Sequence, residues 1–274
     1  KEDLHMPSKQ QYVDEYHEQG YVVVDDAVDP DMMGELEAAG RRVRDKIRAG
    51  EVDVHSILGE NREPQVIWGL IAPEFGESIF AEYLISEPVE AYTHAFLGQE
   101  LRLGWAVIFC TGNQVPYDST WHRDLGSADK GASAEEELAL LNYSQYNLVK
   151  WHLALVDDPC FRVVPGSHRR YRTEAEREVL IERPCDPMPG ERTIEVKRGQ
   201  TVFWNGKTIH RGVAPEGLKE RMSLHGGMAQ YREDDPPEEK LDERFRWRLS
   251  PNLRENLPAK MQLYYDRWRA LQPV

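Results

Sequence analysis

From Leu101 onward the chain is a succession of short segments rich in β-branched and aromatic residues, and this pattern restricts the fold more than any other feature. Such segments, separated by turn residues, are typical of strands. The dipeptides Pro165-Gly166 and Arg198-Gly199 provide turns between them. We predict six strands here, over residues 101–110, 146–156, 161–164, 192–196, 201–204 and 221–228.

Residues before and after these strands have helical signals. Gly20 is a good helix C-terminus, and Asp29 with Pro30 is a good helix start. We predict helices over 11–19, 30–47, 88–96 and 258–271, and a short buried strand over 21–24. Helices flanking many strands predict a mainly β fold, a sandwich or barrel with a helical layer on one side.

Length and composition indicate a folded globular protein. The chain has 274 residues, of which 40% are hydrophobic, so it can bury a substantial core. We expect one domain over 1–274, with a core at about 12–229 and a helical tail at about 240–274. The Pro- and Glu-rich stretch at 232–243 has the composition of a linker between them.

Charge and cysteine usage narrow the partners and the location. The net charge of −14 argues against nucleic acid, which requires clustered Lys and Arg. The three cysteines form no CxxC pair, which favours a reduced, intracellular setting. No apolar run is long enough to span a membrane, and the start has no signal-peptide pattern, so we expect a cytoplasmic protein without a membrane partner. The oligomeric state stays open.

A His-x-Asp pair at His122 and Asp124 is the first candidate for chemistry. On an extended segment, residues two apart point to the same side and can bind one metal. His210, just past a predicted strand, is the best third ligand. Two imidazoles and a carboxylate suit iron(II) and leave coordination positions open. The alternative for the pair alone is a surface loop in which Asp124 pairs with Arg123 or caps a turn.

Arg221 and Ser223 follow His210 and extend the metal site to a co-substrate site. The planar guanidinium of an arginine matches a carboxylate, so Arg221 is suited to a dicarboxylate. Ser223 shares its face on the predicted strand and can donate to the same group. The alternative is a surface arginine paired with Glu216 or Glu220.

Four stretches together resemble the phytanoyl-CoA dioxygenase family of iron(II)/2-oxoglutarate oxygenases, over roughly 12–229. They are Tyr16–Val28, His122-Arg123-Asp124, Val163–Arg169, and Gly199–Trp204 leading to His210 and Arg221. The resemblance implies a double-stranded β-helix, or cupin-like jelly roll, with Fe(II), 2-oxoglutarate and O2 as cofactors. It also implies that His168 belongs to a structural turn, although we keep His168 as a minor alternative ligand.

The resemblance implies a dioxygenase that oxidises a small-molecule substrate and releases succinate and CO2. Halogenating relatives lack the metal carboxylate, so Asp124 favours hydroxylation. Desaturation, epoxidation and cyclisation use the same oxidant and stay open. Two rivals remain: an iron oxygenase that does not use 2-oxoglutarate, which Arg221 disfavours, and a cupin-like binding protein without turnover.

The walls of the pocket are harder to assign from sequence. Either Trp151 or His152 faces the co-substrate, depending on strand register, and we favour Trp151. For the substrate we single out Trp121, Tyr117, Arg123 and Tyr143, although core packing or a surface salt bridge would explain each of them as well. The segment 125–141 is either a lid or a plain surface helix.

Overall fold

Ten strands and eight helices make up the described part of the chain, residues 8–59, 62–110, 118–125 and 131–273 of the computed structural model. The helices are α1 Lys9–Gln19, α2 Pro30–Ala49, α3 Ile79–Leu84, α4 Glu87–Leu97, α5 Ala134–Asn142, α6 Glu174–Glu182, α7 Leu253–Asn256 and α8 Ala259–Ala270. The strands are β1 Tyr21–Val24, β2 Ser56–Leu58, β3 Pro64–Trp68, β4 Leu101–Phe109, β5 Leu148–Ala154, β6 Asp158–Val163, β7 Arg192–Val196, β8 Thr201–Asn205, β9 His210–Gly212 and β10 Ser223–Gln230.

The strands form two antiparallel sheets. The large sheet has the order β1-β8-β5-β10-β4-β3-β2, and the small sheet has the order β7-β6-β9. Apolar residues of both sheets pack together, including Val202 and Trp204 of the large sheet and Phe161 and Val163 of the small one. The mainly β fold with flanking helices is confirmed.

The helices cover the outer face of the large sheet. The main core joins α2, α3 and α4 to this face, with fully buried Leu36, Phe80 and Phe203. The C-terminal helix α8 packs beside β4, and its aromatic face, Tyr264, Tyr265 and Trp268, is buried. One face of the large sheet therefore packs against the helices, and the other face packs against the small sheet.

Local sequence signals explain where the elements begin and end. Helix α1 starts two residues before the predicted bound because Ser8 caps it in a reciprocal capping box with Gln11. Gly20 ends it with φ of 81°, a conformation that favours glycine. Asp29 caps α2 as predicted. Strand β10 begins at Ser223 rather than at residue 221, so Arg221 lies at the entrance of that strand.

No helix within residues 8–59, 62–110, 118–125 and 131–273 is both long and apolar enough to cross a membrane.

Candidate active site

The backbone of the two strand edges brings the candidate metal ligands together. His122 and His210 form an antiparallel bridge, with N–O distances of 3.1 and 3.0 Å. Two residues further along the same segment, Asp124 N donates to Gly206 O at 2.8 Å, which fixes the backbone of the third candidate ligand. As a result, ligand atoms of His122, Asp124 and His210 all lie within 4.8 Å of one another. The spacing predicted from the sequence thus corresponds to a compact three-residue cluster.

Both imidazoles are oriented through their Nδ1 atoms. Nδ1 of His122 lies 2.7 Å from Thr120 O, and Nδ1 of His210 lies 2.8 Å from Thr208 O. Because a carbonyl only accepts, each Nδ1 carries the proton and each Nε2 keeps its lone pair. Burial, followed by the neighbouring His122, lowers the pKa of His210 to about 3, so its ring is neutral near pH 7. Neutral imidazoles held this way are the form that binds metals.

The carboxylate completes a donor set that fits iron(II). Asp124 Oδ2 lies 3.6 Å from His210 Nε2, is buried, and has no hydrogen-bond donor among the residues described. Burial alone would raise the pKa of Asp124, but Lys150 and the two histidines lower it to about 2. An ionised oxygen without a donor beside two nitrogen lone pairs matches the facial arrangement of non-haem iron sites.

Lys150 contacts a candidate metal ligand, and the sequence analysis did not single it out. Its Nζ donates to Asp124 Oδ1 at 2.7 Å, and it lies 3.4 Å from the ring centroid of Trp105. Burial lowers the pKa of Lys150, while Asp124 raises it. The sequence signal was the unusual position of a lysine inside a strand that is otherwise buried.

Arg221 is buried and forms an ion pair with Asp158, a residue that the sequence analysis did not consider. Its Nε donates to Asp158 Oδ2 at 2.9 Å, and its guanidinium lies 4.6 Å from the centroid of Phe109. The surface alternative is wrong: Glu220 pairs with Arg41 and Arg44 instead. Arg221 lines the same cavity as the three candidate ligands.

The residues around Arg221 include a histidine that was also missed. The Ser223 hydroxyl is buried and lies 3.1 Å from His225 Nε2. His225 lines the cavity and packs between Phe109 and His152, at centroid distances of 4.2 and 4.9 Å. The sequence signal for His225 was its spacing: it lies two residues beyond Ser223, so the two side chains share a face of the strand.

The preference for Trp151 over His152 as the inward residue is wrong. Trp151 lies in the core on the helical side, 5.7 Å from Phe203, and fills the space above Gly226. His152 faces the small sheet, 5.9 Å from Phe161. The reason is alternation along β5, which places apolar Val149, Trp151 and Leu153 on one face and Lys150 and His152 on the other.

Of the four candidate substrate residues, Tyr143 and Arg123 line the cavity. The guanidinium of Arg123 is buried, pairs with Glu137 and donates to Ser167 O and Arg170 O, so its charge is already paired within the protein. The prediction for Trp121 is wrong: this side chain is fully buried among apolar residues, and its Nε1 donates to Asp186 O at 2.8 Å. Tyr117 lies outside the described residues.

The described part of the segment 125–141 contains a helix. Helix α5 begins at a Ser133 capping box, as expected for the surface-helix alternative. Its Glu137 is fully buried and pairs with both Arg123 and Arg172. These contacts tie α5 to the segment that carries His122 and Asp124, which does not favour a lid for this part. Residues 126–130 lie outside the described chain.

His168 is not near the candidate metal ligands. Its Nε2 lies 3.1 Å from His17 O, and its ring packs against Gly20. The minor alternative that made His168 a ligand is therefore wrong, and its position is that of a structural turn.

The cavity at the site measures about 1470 Å³. Residues 236–244 form one wall of it, so this part of the linker-like stretch is not a passive connection. The guanidinium of Arg244 lies 4.7 Å from the centroid of Trp68 and 5.5 Å from that of Trp105, two other lining residues. The faces of these indoles are therefore occupied by protein cations, Arg244 and Lys150.

Two antiparallel sheets with a His-x-Asp pair and a distant histidine between them define the class of cupin-like non-haem iron oxygenases. Residues 16–223 match the phytanoyl-CoA dioxygenase (PhyH) family. This stretch covers most of the chain, and the protein belongs to that family.

Solved structures have the same fold. The non-haem α-ketoglutarate-dependent epimerase SnoN from nogalamycin biosynthesis is 19% identical, with a TM-score of 0.58 over 81% of this chain and 80% of that one. EctD from S. alaskensis with bound Fe is 15% identical, with a TM-score of 0.63 over 83% and 78%. The carbocyclase SnoK, also from nogalamycin biosynthesis, is 23% identical, with a TM-score of 0.55 over 82% and 85%.

Three predictions are thereby confirmed. The fold is a cupin-like jelly roll with flanking helices. The protein is an oxidoreductase of the non-haem iron, 2-oxoglutarate-dependent dioxygenases. Its cofactors are iron(II), 2-oxoglutarate and O2, in agreement with the His-Asp-His cluster.

Proposed function

We propose that this enzyme hydroxylates an unactivated C–H bond of a bulky small molecule, with conversion of 2-oxoglutarate to succinate and CO2. One observation carries the proposal. The cluster of His122, Asp124 and His210 and the buried Arg221 line one cavity that also has room for a second molecule.

In this proposal His122, Asp124 and His210 hold iron(II). The support is the orientation of both Nε2 atoms and of Asp124 Oδ2 toward one another. The bound metal with its co-substrate supplies the oxidant that cleaves a C–H bond. The protein's own residues place the substrate and exclude competing reactions.

Arg221 binds the far carboxylate of 2-oxoglutarate. Its support is its burial in the cavity wall and the fixed direction of its guanidinium, whose Nε is taken by Asp158. A buried guanidinium makes strong, directional hydrogen bonds to a carboxylate. Ser223 and His225 lie at the start of β10, two and four residues beyond Arg221, and are hydrogen-bonded to each other, so we propose them as a pair that orients the same carboxylate.

The size of the cavity supports a large substrate. Typical ligand pockets measure roughly 300–1,000 Å³, and this one measures about 1470 Å³. A structure of SnoN, a protein of similar fold, holds Fe3+, α-ketoglutarate and nogalamycin RO. We therefore propose a bulky, ring-containing metabolite in contact with Tyr143 and the wall at 236–244.

Hydroxylation is the outcome that this site favours over halogenation. Asp124 fills the position that a halide requires, and its contact with Lys150 holds it in the cluster. Desaturation, epoxidation and cyclisation begin with the same hydrogen removal and are alternatives within the same proposal.

A screen of ring-containing metabolites tests the proposal. The purified enzyme is incubated with iron(II), ascorbate and 2-oxoglutarate, and succinate is measured for each compound. A substrate should release succinate in proportion to its consumption and gain the mass of one oxygen. A loss of two hydrogens would identify desaturation or cyclisation instead.

Succinate that stays at the substrate-free level with every ring-containing compound would contradict the proposed substrate class.

A further inference from the structure

Lys150 is a buried lysine in contact with both the candidate metal cluster and the substrate cavity. Its side chain is 7% exposed. The ammonium donates to Asp124 Oδ1 at 2.7 Å and lies on the face of Trp105, 3.4 Å from the ring centroid. A lysine rarely occupies such a position unless it is paired, so its contacts define what it does.

We propose that Lys150 is a positioning residue that makes Asp124 offer a single oxygen to the metal. The proposal rests on the function proposed above. Lys150 occupies Oδ1, and this leaves Oδ2 alone facing His210 Nε2. A carboxylate free to turn would present both oxygens and fill an additional coordination position. A three-residue site that must accept a chelating co-substrate and O2 needs all its remaining positions open.

The surroundings of Lys150 keep its ammonium in place. The Trp105 indole stabilises the cation through its face. Arg244, from the cavity wall at 236–244, lies over the same indole at 5.5 Å. On the other side, Asp124 N donates to Gly206 O. This hydrogen bond holds the backbone of Asp124, so the whole residue cannot shift together with the lysine. Other contacts therefore fix the positions of both Lys150 and Asp124.

Charge predicts the sign of the effect on metal binding. The Lys150 ammonium lies close to the site and repels a divalent cation. Replacing it with an isosteric apolar side chain should therefore not weaken iron(II) binding. The loss should appear in the second step, when 2-oxoglutarate binds to the iron-loaded protein. A residue that only stabilises the fold would not separate these two steps.

The test uses full-length Lys150→Met and Lys150→Arg, with Lys207→Met as a matched control. Lys207 is also buried, but it donates to Leu141 O and Asn147 Oδ1 and does not touch the candidate ligands. Iron(II) is titrated into each protein without O2, and its dissociation constant is measured. 2-Oxoglutarate is then added, and the visible charge-transfer absorption of the iron–2-oxoglutarate chelate is followed.

Lys150→Met should bind iron(II) at least as tightly as wild type but need roughly tenfold or more 2-oxoglutarate for the chelate absorption. Lys150→Arg should bind 2-oxoglutarate nearly as well as wild type, because it keeps a charged donor. Lys207→Met should match wild type in both titrations. If Lys150→Met does not fold, Trp105→Leu, which releases the ammonium, should shift the 2-oxoglutarate titration in the same direction.

The proposal is overturned if the variant at Lys150 titrates like wild type with 2-oxoglutarate. It is also overturned if Lys150→Met and Lys207→Met lose iron(II) binding equally, which indicates a structural role. Failure of the proposed function has a different signature, since wild type itself would then give no chelate absorption.

Discussion

Arg221 Nε donates to Asp158 Oδ2 at 2.9 Å, and the two side chains are 2% and 0% exposed. Burial alone would raise the pKa of Asp158, but the guanidinium of Arg221 and the neighbouring His152 hold it well below its usual range. The acid therefore stays ionised and fixes the direction of the arginine inside the cavity wall. Replacing either residue leaves the other as a buried charge without this partner.

For Arg221→Ala we expect two separable losses. The apparent KM for 2-oxoglutarate should rise at least tenfold, at roughly 1.5–3 kcal/mol per charged hydrogen bond. The free energy of unfolding should fall by about 3–5 kcal/mol, because Asp158 is left buried. Steady-state kinetics and urea denaturation measure the two. Arg162→Ala is the control, because it breaks a more exposed ion pair with Glu191. It should lower the free energy of unfolding by about 1 kcal/mol or less. An unchanged KM in a folded Arg221→Ala protein would assign the far carboxylate to another residue.

Asp124→Ala should abolish turnover and weaken iron(II) binding by more than the roughly 10- to 100-fold typical of residues that only support a ligand. The reason is that no other carboxylate belongs to the cluster among the described residues. Iron(II) titration and succinate release are the measurements. Asp118→Ala is the control, since Asp118 is half-exposed and pairs with Arg211 rather than with the cluster. Wild-type turnover in Asp124→Ala would remove the assignment of the site.

Gly226→Val should destabilise the protein by about 1–3 kcal/mol or more. A Cβ at Gly226 would lie 2.2 Å from the Trp151 ring, and neither the strand nor the buried indole can yield easily. Urea denaturation measures the effect. Gly34→Ala is the control, because a Cβ at Gly34 meets nothing within 4 Å. Alanine at this position inside α2 should raise the free energy of unfolding by about 0.5–1 kcal/mol. Equal stability of Gly226→Val and wild type would contradict the placement of Trp151.

Stability of the metal-free protein should fall between pH 6.5 and pH 4. Burial lowers the pKa of His152 and of His168 to about 4, whereas an unfolded histidine has a pKa of about 6.5. Below pH 6.5 the unfolded chain takes up protons that the folded chain refuses, so stability is complete above that pH and is lost as the pH falls. Each such histidine contributes about 1.4 kcal/mol per pH unit.

His168→Gln isolates one of these contributions without touching the candidate ligands. Its amide can still donate to His17 O, which His168 Nε2 contacts at 3.1 Å. The free energy of unfolding is measured by urea denaturation at pH 7 and at pH 5. Its loss between these two pH values should be smaller in His168→Gln than in wild type, by up to about 1.4 kcal/mol per pH unit. The same difference in both proteins would mean that His168 is not buried in its neutral form.

Strand β5 illustrates how far sequence reasoning reaches. Its pattern predicted a strand, and the strand is there, but both of its faces are covered. When neither face meets water, alternation separates the two sets of side chains without identifying which set faces the site. Packing of Trp151 against Gly226 and Phe203 decided that question in favour of His152.

The sequence by itself determined the features that depend on neighbours along the chain. These are the seven strands and four helices predicted above, the cap at Asp29, and the His122-x-Asp124 spacing that selects a shared face. The short elements β2, β3, β9, α3 and α7 and the helix α6 were not predicted. Only the tertiary structure decided which distant charges meet: Lys150 with Asp124, Arg221 with Asp158, and the wall at 236–244 with the cavity. The physical reason is that local propensity and side-chain alternation act over a few residues. Pairing between strands and loops far apart in sequence depends on how the whole chain packs.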